Sequence, residues 1–496
     1  MKILFVRPPR YMWPMNSESS SFWQPLGFAS IAAVLREDDI DVEILDCLPL
    51  KIGWESLAKI IEWKKPDVIG LGDEMASSVE SVKLAKLAKE IDPEVIVAGG
   101  GYYFSFMDED ALLNKNFDFI VRGEGELTFL ELVKELCKIN PDFSKIDGLS
   151  YKVNGHIIRN NDRALIGNLD GLPLPAYDLL PMDKYGSDSK NHTDFAAIEH
   201  GRGCINNCRF CSVWKLMSNS SNPCYRTKSP ERSFEETELL VNKFHRKTLN
   251  WTDGTYNASP AWSRGYNQLL IDNNIDIKQT TWMRADLIVR DERSGILKKM
   301  VDAGLVQAVI GAERIDDNEL DDINKNSSFS TCQKAFKILK KYRQVYSIAS
   351  FIYGMPDETK KSLKKLNKLV HSSFADMVFL LPYTPYPGTE LWDDVKDNLE
   401  EKDFTKYNLH LPVMSSKYLT REQLNRWFKK VLFWYIFWPN QLLKRIVLET
   451  DSRKRKVQIS LASKILKMAF VKIYNTLTLK KGYELEYGVK PGWYDL

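Results

Sequence analysis

Three cysteines in the middle of the chain have the spacing of ligands to a thiophilic metal. Cys204, Cys208 and Cys211 form a Cys-x3-Cys-x2-Cys pattern in the stretch GCINNCRFCSVW, and no fourth cysteine follows at a comparable spacing. Thiolates this close together favour a soft metal ion or an iron–sulfur cluster. Three protein ligands on a four-iron cluster leave one iron open, just as catalytic zinc sites keep one position free for substrate. The spacing therefore indicates a reactive metal centre.

A structural zinc site is the alternative interpretation of the same cysteines. Such a site closes with four ligands, and Cys224 or His200 is near enough in sequence to be the fourth. The position of the cysteines argues against this alternative. They follow a strand-like segment and open a long series of alternating strands and helices, where a small zinc module would be out of place.

The composition is typical of a globular protein without a strong charge bias. The chain of 496 residues is 44% hydrophobic and 27% charged, and its net charge of +3 indicates no general affinity for nucleic acid. MKILFVRPPR enters a strand-like run without a signal peptide, and no segment reaches the roughly 18 apolar residues of a membrane-spanning helix. Seven cysteines, three of them clustered, do not resemble a disulfide framework. We expect a cytoplasmic protein of two or three domains.

Residues 1–140 alternate short β-rich runs with segments of helical periodicity. This alternation predicts a doubly wound parallel sheet, in which ligands bind at the carboxyl ends of the strands. Glycines fall at the ends of the predicted strands, namely Gly70, Gly72, Gly99, Gly100, Gly101, Gly123 and Gly125. The first β–α turn, RPPRYMWP, lacks Gly-x-Gly-x-x-Gly, which argues against a dinucleotide as the ligand.

The rest of the chain divides into three parts. Residues 141–193 are predicted to be a linker with a hairpin at Asn154-Gly155. In residues 194–400, six strand-like segments alternate with amphipathic helices, which predicts a partial (β/α)6 barrel. The cysteines lie after its first strand, on the face where barrel active sites form. Residues 401–496 are expected to be helical, aromatic and basic, so the fold class is α/β with a C-terminal helical region.

The cysteine motif, placed after the first strand of a partial barrel, resembles the signature of the radical S-adenosylmethionine (SAM) enzymes. The resemblance implies that SAM chelates the open iron of a [4Fe–4S] cluster, and that one electron then cleaves its sulfonium to give a 5′-deoxyadenosyl radical. It also implies SAM contacts at the next three strand ends, from Asp253 and Gly254 of NWTDG, Arg284 of MRAD, and Gly311 and Glu313 of VIGAER. The Gly-Gly-Glu usual in the family is absent from the second strand.

The N-terminal segments are similar to the cobalamin-binding domain that precedes the barrel in one subfamily of these enzymes. That subfamily includes the anaerobic bacteriochlorophyll ring cyclase, hopanoid methylases and carbon methyltransferases. The matching segments include PLGFASIAAVLR, PDVIGLG, VIVAGGG and FIVRGEGELTF. The resemblance implies cobalamin contacts from Leu26, Gly27, Glu74, Met75, Gly99, Gly100, Gly101, Glu124, Gly125 and Glu126. None of the six histidines lies in the first domain, so we expect no histidine from that domain on cobalt.

The resemblance implies a cobalamin-dependent radical SAM methyltransferase that methylates an unactivated carbon. Its cofactors would be a [4Fe–4S] cluster, SAM and cobalamin, and its electron donor a flavodoxin or a ferredoxin. Hydrogen abstraction by a radical needs no general base, so we assign no catalytic side chain. Two alternatives stay open. A cyclase or oxidase of the same subfamily would begin with the same radical, and a non-enzymatic iron–sulfur electron carrier would need four protein ligands.

The C-terminal region combines aromatic and basic residues. An unbroken apolar run from Val431 to Trp438 is too short to span a bilayer, and a helix that is apolar on most sides is usually buried. Residues 440–480, however, contain ten Lys or Arg and two Asp or Glu, a composition typical of interfacial helices. A buried helix is the first hypothesis. Peripheral membrane contact, with a lipid or other hydrophobic small molecule as substrate, is the second.

Overall fold

The computed structural model describes residues 1–10, 23–73, 75–185, 194–218, 224–372, 375–460, 462, 463, 466 and 493–496. These residues form two α/β units, each built around a mainly parallel sheet, followed by a helical segment. The α/β fold class expected from the sequence is confirmed. Within this part of the chain, none of the helices combines the length and the apolar character that crossing a membrane requires.

The first unit contains one large sheet. Its strands are β1 (Lys2–Arg7), β2 (Asp41–Asp46), β3 (Val68–Asp73), β4 (Ile96–Gly100), β5 (Phe119–Val121), β6 (Leu149–Val153) and β7 (His156–Arg159). They lie in the order β2-β1-β3-β4-β5-β6-β7, and β1 to β5 are parallel. The strand order reverses between β1 and β3. In open α/β sheets, ligands bind at such a reversal, outside the carboxyl ends of the strands.

Helices cover both faces of this sheet because its strands are apolar on both sides. The helices are α1 (Leu26–Glu37), α2 (Cys47–Leu50), α3 (Trp54–Lys64), α4 (Ser78–Ile91), α5 (Gly101–Phe106), α6 (Asp108–Leu113) and α7 (Gly125–Leu136). Phe5 of β1 packs on one face with Phe28 of α1 and Phe129 of α7. The next residue along, Val6, joins the core on the other face with α3 and α4. This alternation is the period of a strand buried on both sides.

The hairpin in residues 141–193 differs in its role from the prediction. Its strands, β6 and β7, turn at Asn154 and Gly155, and both belong to the first sheet. β6 pairs antiparallel with β5, which has only three residues, and buries Leu149 and Tyr151. The first sheet therefore extends beyond residue 140, and the hairpin covers an edge that β5 would otherwise leave unpaired.

The second unit begins at residue 194. Its strands are β8 (Phe195–Ile198), β9 (Gly201–Gly203), β10 (Tyr225–Thr227), β11 (Thr248–Trp251), β12 (Lys278–Met283), β13 (Leu305–Glu313), β14 (Tyr346–Tyr353) and β15 (Met377–Pro382). Six of them form a parallel sheet in the order β15-β14-β13-β12-β11-β8. Their carboxyl ends therefore share one edge. β9 and β10 form a separate antiparallel hairpin at that edge.

Helices alternate with the six parallel strands, as expected for a partial barrel. They are α8 (Ser212–Leu216), α9 (Pro230–Glu238), α10 (Pro260–Asp272), α11 (Ala285–Arg293), α12 (Ile296–Asp302), α13 (Asp317–Asp322), α14 (Phe329–Leu339), α15 (Lys360–Val370) and α16 (Glu390–Asp393). Many begin with a hydroxyl cap. Ser259 accepts from Trp262 N at the start of α10, and Thr359 forms a capping box with Ser362 at the start of α15.

The C-terminal segment is helical from Arg421 rather than from residue 401. Its helices are α17 (Arg421–Phe437) and α18 (Pro439–Leu442). One face of α17 is buried: Phe428 stacks on Tyr353 at the carboxyl end of β14, and Tyr435 is 2% exposed. The opposite face leaves Trp434 and Trp438 40% and 46% exposed. The apolar run is therefore buried on one side only. Residues 461, 464, 465 and 467–480 of the basic stretch 440–480 lie outside the described residues.

Candidate active site

The three cysteines lie in a loop that the β9–β10 hairpin closes at its base. The loop leaves β9 at Gly203, and Cys204 N donates to Cys224 O at 3.1 Å just before β10 begins. Gly203 has a φ of +86°, and a Cβ there would lie 1.9 Å from Cys224 O. The two ends of the loop can therefore approach this closely only because residue 203 has no side chain.

Hydrogen bonds fix the conformation of the loop around the sulfurs. Asn206 Nδ2 donates to Cys208 Sγ at 3.0 Å, and Cys204 Sγ lies 3.3 Å from Thr255 Oγ1. Trp214, which lies in α8, donates from Nε1 to Cys208 O at a distance of 2.9 Å. Side chains within the loop, from Asn206 and Trp214, and one outside it, from Thr255, therefore fix its conformation. Hydrogen bonds to sulfur are also one of the means by which proteins tune an iron–sulfur cluster.

Two of the cysteine thiols are poorly solvated. Burial raises the pKa of Cys208, and it raises the pKa of Cys211 to about 12. At neutral pH both groups are therefore protonated thiols in the apoprotein. Metal ligation requires the thiolate, so binding of a metal must release these protons.

The donor set fits a cluster with three protein ligands. Among the described residues, no three His, Cys, Asp or Glu side chains converge closely enough to hold a single metal ion. On a four-iron cluster each cysteine binds a different iron, so the ligands need not converge. The second strand end lies close by, since a Cβ on Gly254 would lie 3.1 Å from Gly203 O and 3.9 Å from Cys204 Cβ. The missing side chain of Gly254 thus lets the second strand end approach the loop that presents the three thiols.

His200, a possible fourth ligand, is occupied elsewhere. It is completely buried, and its Nδ1 lies 2.8 Å from Asp253 Oδ1. Its Nε2 lies 3.1 Å from Tyr225 Oη, and its ring stacks on Trp262 at 3.6 Å between centroids. Nε2 is thus paired with Tyr225 and Nδ1 lies against the buried carboxylate of Asp253, which argues against a zinc site completed by this histidine.

Asp253, whose contact with SAM stays a prediction, bonds to the backbone that leads into the cysteine loop. Its side chain is fully buried and accepts hydrogen bonds from the backbone N–H groups of His200 and Gly201. His200 precedes β9 and Gly201 begins it, so both donors lie a few residues before the cysteine loop. A buried carboxylate is stable only with such partners. Asp253 therefore fixes the approach to the loop, and its neighbour Gly254 is the residue that lies beside Cys204.

The fourth strand end places an ion pair beside the cysteine loop. Glu313 adopts a φ of +57° at a bulge of β13, and its Oε1 lies 3.0 Å from Lys325 Nζ. Lys325 in turn lowers the pKa of Cys208 electrostatically, against the larger effect of burial. A Cβ on Gly311 would lie 2.1 Å from Glu313 Oε1, so the glycine makes room for the carboxylate. Glu313 and Gly311 therefore lie close to the cysteine loop, with Lys325 between Glu313 and Cys208.

Asparagines that the sequence analysis missed connect the third strand end to the same place. Arg284 Nη2 donates to Asn326 O at 3.3 Å, and Asn326 Nδ2 donates to Asn206 Oδ1 at 2.7 Å. Asn206 is the residue that donates to Cys208 Sγ. The signal in the sequence is the tract Asn324-Lys325-Asn326, whose two asparagines adopt left-handed φ angles of 51° and 50°. Arg284 also pairs with Asp286 at 3.1 Å.

The glycines predicted to contact cobalamin divide into two groups. Gly99 and Gly125 are closely packed, since a Cβ at either would lie 2.8 Å from an isoleucine side chain, Ile120 or Ile31, and their contact with cobalamin stays a prediction. Gly100 and Gly101 end β4 and begin α5, at the carboxyl edge of the sheet. Leu26 and Gly27 begin α1, where a Cβ on Gly27 would have no atom within 4 Å. The second group keeps the backbone open at the ligand-binding edge.

Met75 follows β3 at the same edge. Met75 is 3% exposed and packs with Trp392, Tyr407 and Val413 from the segment after the barrel. Tyr102, at the start of α5, donates to Pro387 O of that segment at 2.7 Å. The carboxyl edge of the first sheet therefore faces residues that follow β15. Glu74 lies outside the described residues.

Glu124 and Glu126, whose contact with cobalamin stays a prediction, belong to an ion network between the two units. Both carboxylates are buried and pair with Arg202 of β9, and Glu124 also pairs with Arg226 of β10. Buried carboxylates occupied by two arginines have little capacity left for another ligand. These residues connect the first unit to the hairpin at the base of the cysteine loop.

Two family models match the chain in the order of its two units. The B12 binding domain matches residues 12–133, and the radical SAM superfamily matches residues 198–370. The fold and the three-cysteine loop thus define a radical SAM enzyme that carries an N-terminal B12-binding domain.

Relatives extend the similarity over nearly the whole chain. A Pyrococcus horikoshii protein named as an uncharacterized methyltransferase is 33% identical over 449 residues, which are 90% of this chain and 95% of the relative. The anaerobic magnesium-protoporphyrin IX monomethyl ester cyclase of Rubrivivax gelatinosus is 26% identical, over 95% of this chain and 83% of its own. The hopanoid C-3 methylase of Methylococcus capsulatus is 26% identical, over 84% of this chain and 77% of the methylase. The chain belongs to the cobalamin-dependent radical SAM family, whose cofactors are a [4Fe–4S] cluster, SAM and cobalamin.

Solved structures share the architecture of both units. The radical SAM methyltransferase TsrM of Kitasatospora setae, with cobalamin and a [4Fe–4S] cluster bound, superposes with a TM-score of 0.65 at 14% identity. That match covers 86% of this chain and 85% of TsrM. The cobalamin-dependent SAM radical enzyme OxsB superposes with a TM-score of 0.69 at 16% identity, over 98% of this chain and 74% of OxsB. At these identities the likeness is one of fold.

Proposed function

We propose that this enzyme transfers a methyl group to an unactivated carbon of a hydrophobic small molecule. The observation that carries the proposal is the similarity to a relative named as a methyltransferase, which extends over 90% of this chain and 95% of the relative. The three-thiol loop and the B12-binding unit on the same chain supply the two centres that such a reaction needs. When bound, the cluster and SAM provide a carbon-centred radical, and cobalamin provides the methyl group.

Within this proposal, the chain's own residues bind and orient the cofactors. Cys204, Cys208 and Cys211 would hold the cluster, and with no fourth protein ligand one iron would stay free for SAM. Gly254 lets the second strand end approach Cys204, while Arg284 and Glu313 place charged groups at the adjacent strand ends. SAM is a zwitterion with a sulfonium, so side chains of both signs match its charges. No side chain is required to take up a proton in the abstraction.

An aromatic segment separates the two cofactor edges from solvent. Tyr102 of the first unit meets Tyr386 in an edge-to-face contact at 5.9 Å, and Tyr386 Oη donates to Tyr407 O at 3.1 Å. Trp392 and Tyr407 are both buried. Aromatic rings in this position exclude water from the region between the units, which protects a reactive carbon radical from side reactions.

A hydrophobic substrate fits the surroundings of the loop. Ile205 and Val213, adjacent to the cysteines at either end of the motif, are 41% and 42% exposed. Apolar side chains that remain exposed beside a reactive centre favour a substrate with apolar surface. Among the relatives, the hopanoid methylase and the porphyrin ester cyclase are both named for large hydrophobic molecules.

Transfer of an isotopic label tests the proposal. The anaerobically reconstituted enzyme is reduced and incubated with methyl-deuterated SAM and lipid extracts, and the products are analysed by mass spectrometry. We expect a deuterated methyl group in a product, together with 5′-deoxyadenosine and S-adenosylhomocysteine. A Cys208→Ala variant is the control and should form neither 5′-deoxyadenosine nor a deuterated product. Formation of 5′-deoxyadenosine with an altered but unlabelled product would overturn methyl transfer.

Ring closure or oxidation is the second candidate function. It is favoured by the 26% identity to the Rubrivivax cyclase, which extends over 95% of this chain. The same labelling experiment separates the two candidates, since a cyclase product loses hydrogen and gains no deuterium. Either reaction also needs a one-electron donor, and we propose a flavodoxin or a ferredoxin in that role.

We further propose that the C-terminal segment contacts a membrane surface. Exposed aromatic residues of α17, with Trp438 after it, are followed by an exposed helical stretch that contains Arg455 and Lys456. Gln458 of this stretch donates to Tyr346 Oη at the amino end of β14. The patch therefore lies at the barrel end opposite the cysteines. Such a contact would anchor the enzyme and leave the cofactor face free.

Vesicle flotation tests the membrane contact. We expect the wild type to float with anionic phosphatidylserine vesicles, and a Trp434→Ser/Trp438→Ser variant to lose this recovery. Trp63→Ser is the matched control, because Trp63 is 77% exposed but lies in the first unit. Equal recovery of all three proteins would contradict the proposal.

A further inference from the structure

A buried ion network joins the first unit to the hairpin that closes the cysteine loop. Arg202 donates from its two terminal nitrogens to Glu124 at 2.8 Å and Glu126 at 2.7 Å, and from Nε to Glu199 at 2.8 Å. Arg226 donates to the second oxygen of Glu124 at 2.8 Å. The side chains of Glu124, Arg202 and Arg226 are 3%, 9% and 10% exposed. The network therefore lies almost entirely out of water.

The hairpin alone places two like charges opposite each other. Arg202 of β9 and Arg226 of β10 are direct partners in its antiparallel register. Like charges directly across a strand pair are destabilising, and here the pair has only three residues on each strand. Glu124 removes the conflict, because each of its oxygens takes one of the two arginines. The partner that stabilises the hairpin thus comes from the first unit.

The same hairpin sets the ends of the cysteine loop. Arg202 lies two residues before Cys204, and Arg226 lies two residues after Cys224. The bond from Cys204 N to Cys224 O continues the pairing of the two strands beyond their register. If the two arginines separate, this closure is the next contact to open.

We propose that Glu124 is a positioning residue that holds the cluster loop from the B12-binding unit, by bridging the two arginines at the base of that loop. The proposal rests on the function above only in taking the loop to bind an iron–sulfur cluster. It makes the geometry between the two cofactor units depend on one carboxylate.

The charge states of the network agree with this role. Burial alone would raise the pKa of Glu124, but the charges of Arg202 and Arg226 and their hydrogen bonds outweigh it and lower that pKa. Burial also opposes the charge on Arg202, yet Glu199, Glu126 and Glu124 raise its pKa well above its ordinary value. The bridge is therefore fully charged at neutral pH.

Two variants test the bridge. Glu124→Gln keeps the size of the side chain but leaves the arginines facing each other without their shared anion. We expect the rate of iron loss to a chelator to rise about tenfold, within the usual range of coupling between neighbouring buried groups. Amide exchange of residues 201–204 and 224–227 should rise with it. In the double variant Glu124→Gln/Arg226→Met one like charge is gone, so iron retention should recover in part.

Asp46→Asn is the matched control. Asp46 is a completely buried carboxylate of the first unit that accepts from Arg7 Nε at 2.9 Å and from Tyr185 Oη at 2.6 Å, away from the hairpin. We expect this variant to keep the wild-type rate of iron loss and wild-type exchange in the hairpin.

Three results would overturn the proposal: wild-type iron retention in Glu124→Gln, equally fast iron loss in Asp46→Asn, or no recovery in the double variant. The electron paramagnetic resonance spectrum of the reduced cluster gives a second readout, which should broaden in Glu124→Gln if the loop loses its fixed geometry. None of these measurements requires substrate. Failure here would leave methyl transfer untouched, and failure to find methyl transfer would leave this proposal standing.

Discussion

At the scale of single residues, the cysteine loop depends on side chains that are absent as much as on those that bind. Gly203 permits the loop to close against Cys224 O, and Gly254 permits the second strand end to approach Cys204. Gly311 leaves space for the carboxylate of Glu313. At each of these glycines the chain comes so close to other protein atoms that a side chain would collide with them.

Gly203→Ala should therefore impair cluster binding. A left-handed φ costs a non-glycine residue about 1–2 kcal/mol, and the added Cβ would also lie 1.9 Å from Cys224 O. We expect most of the iron to be lost during anaerobic gel filtration. Gly155→Ala separates the two effects, since Gly155 has a φ of +82° but no atom within 4 Å of a Cβ. Equal iron content in both variants would show that closure of the loop does not depend on Gly203.

Single residues of the candidate site could be predicted from the sequence where their contacts are local. The spacing of Cys204, Cys208 and Cys211 indicates a cluster because ligand spacing within one loop is a local property. The partner of Glu124 is 78 residues away along the chain, in another unit, so no periodicity could reveal it. A glutamate after a strand looks the same whether it faces a cofactor or an arginine.

At the scale of elements, α17 covers the outer edge of the barrel. It begins in a capping box formed by Thr420 and Gln423, and it stacks on Tyr353. Further along, Val378 N of β15 donates to Tyr435 Oη at 2.9 Å. The apolar run from Val431 to Trp438 correctly indicated a helix with buried residues. Composition could not show that the helix has an exposed aromatic side, because helical periodicity is weak where nearly every residue is apolar.

Tyr435→Phe should destabilise this contact. The substitution removes the acceptor for a buried amide of an edge strand, at a cost of about 1–3 kcal/mol for the unsatisfied group. We expect a lower midpoint of urea unfolding for the apoprotein. Tyr418→Phe provides the control, because Tyr418 is 58% exposed. A midpoint for Tyr435→Phe equal to that of the control would contradict the role of this hydrogen bond.

At the scale of the whole molecule, contacts between the two units lie at the carboxyl edges of their sheets, where α/β folds bind ligands. Aromatic residues after the barrel cover Met75 of the first unit, and Glu124 bridges the two arginines of the hairpin. The order of the units and the type of each sheet were predictable from the alternation of strands and helices. The contacts between the units were not, because they join residues distant in sequence.

The bridge should make stability depend on pH. The folded-state pKa of Glu124 is lowered, so its contribution is present above the unfolded value of about 4.3 and is lost as the pH falls through the folded value. We expect urea unfolding of the apoprotein to separate wild type from Glu124→Gln at about pH 6, with the difference shrinking below about pH 4. A difference that stays constant across this window would contradict a charged bridge.

The central claim is that three cysteines leave one iron of a cluster open to SAM. The most direct test is formation of 5′-deoxyadenosine by the anaerobically reconstituted, dithionite-reduced protein in the presence of SAM. The account predicts 5′-deoxyadenosine from the wild type and from Cys224→Ala, and none from Cys204→Ala, Cys208→Ala or Cys211→Ala. A wild-type protein that carries its full complement of iron and sulfide yet forms no 5′-deoxyadenosine would contradict it.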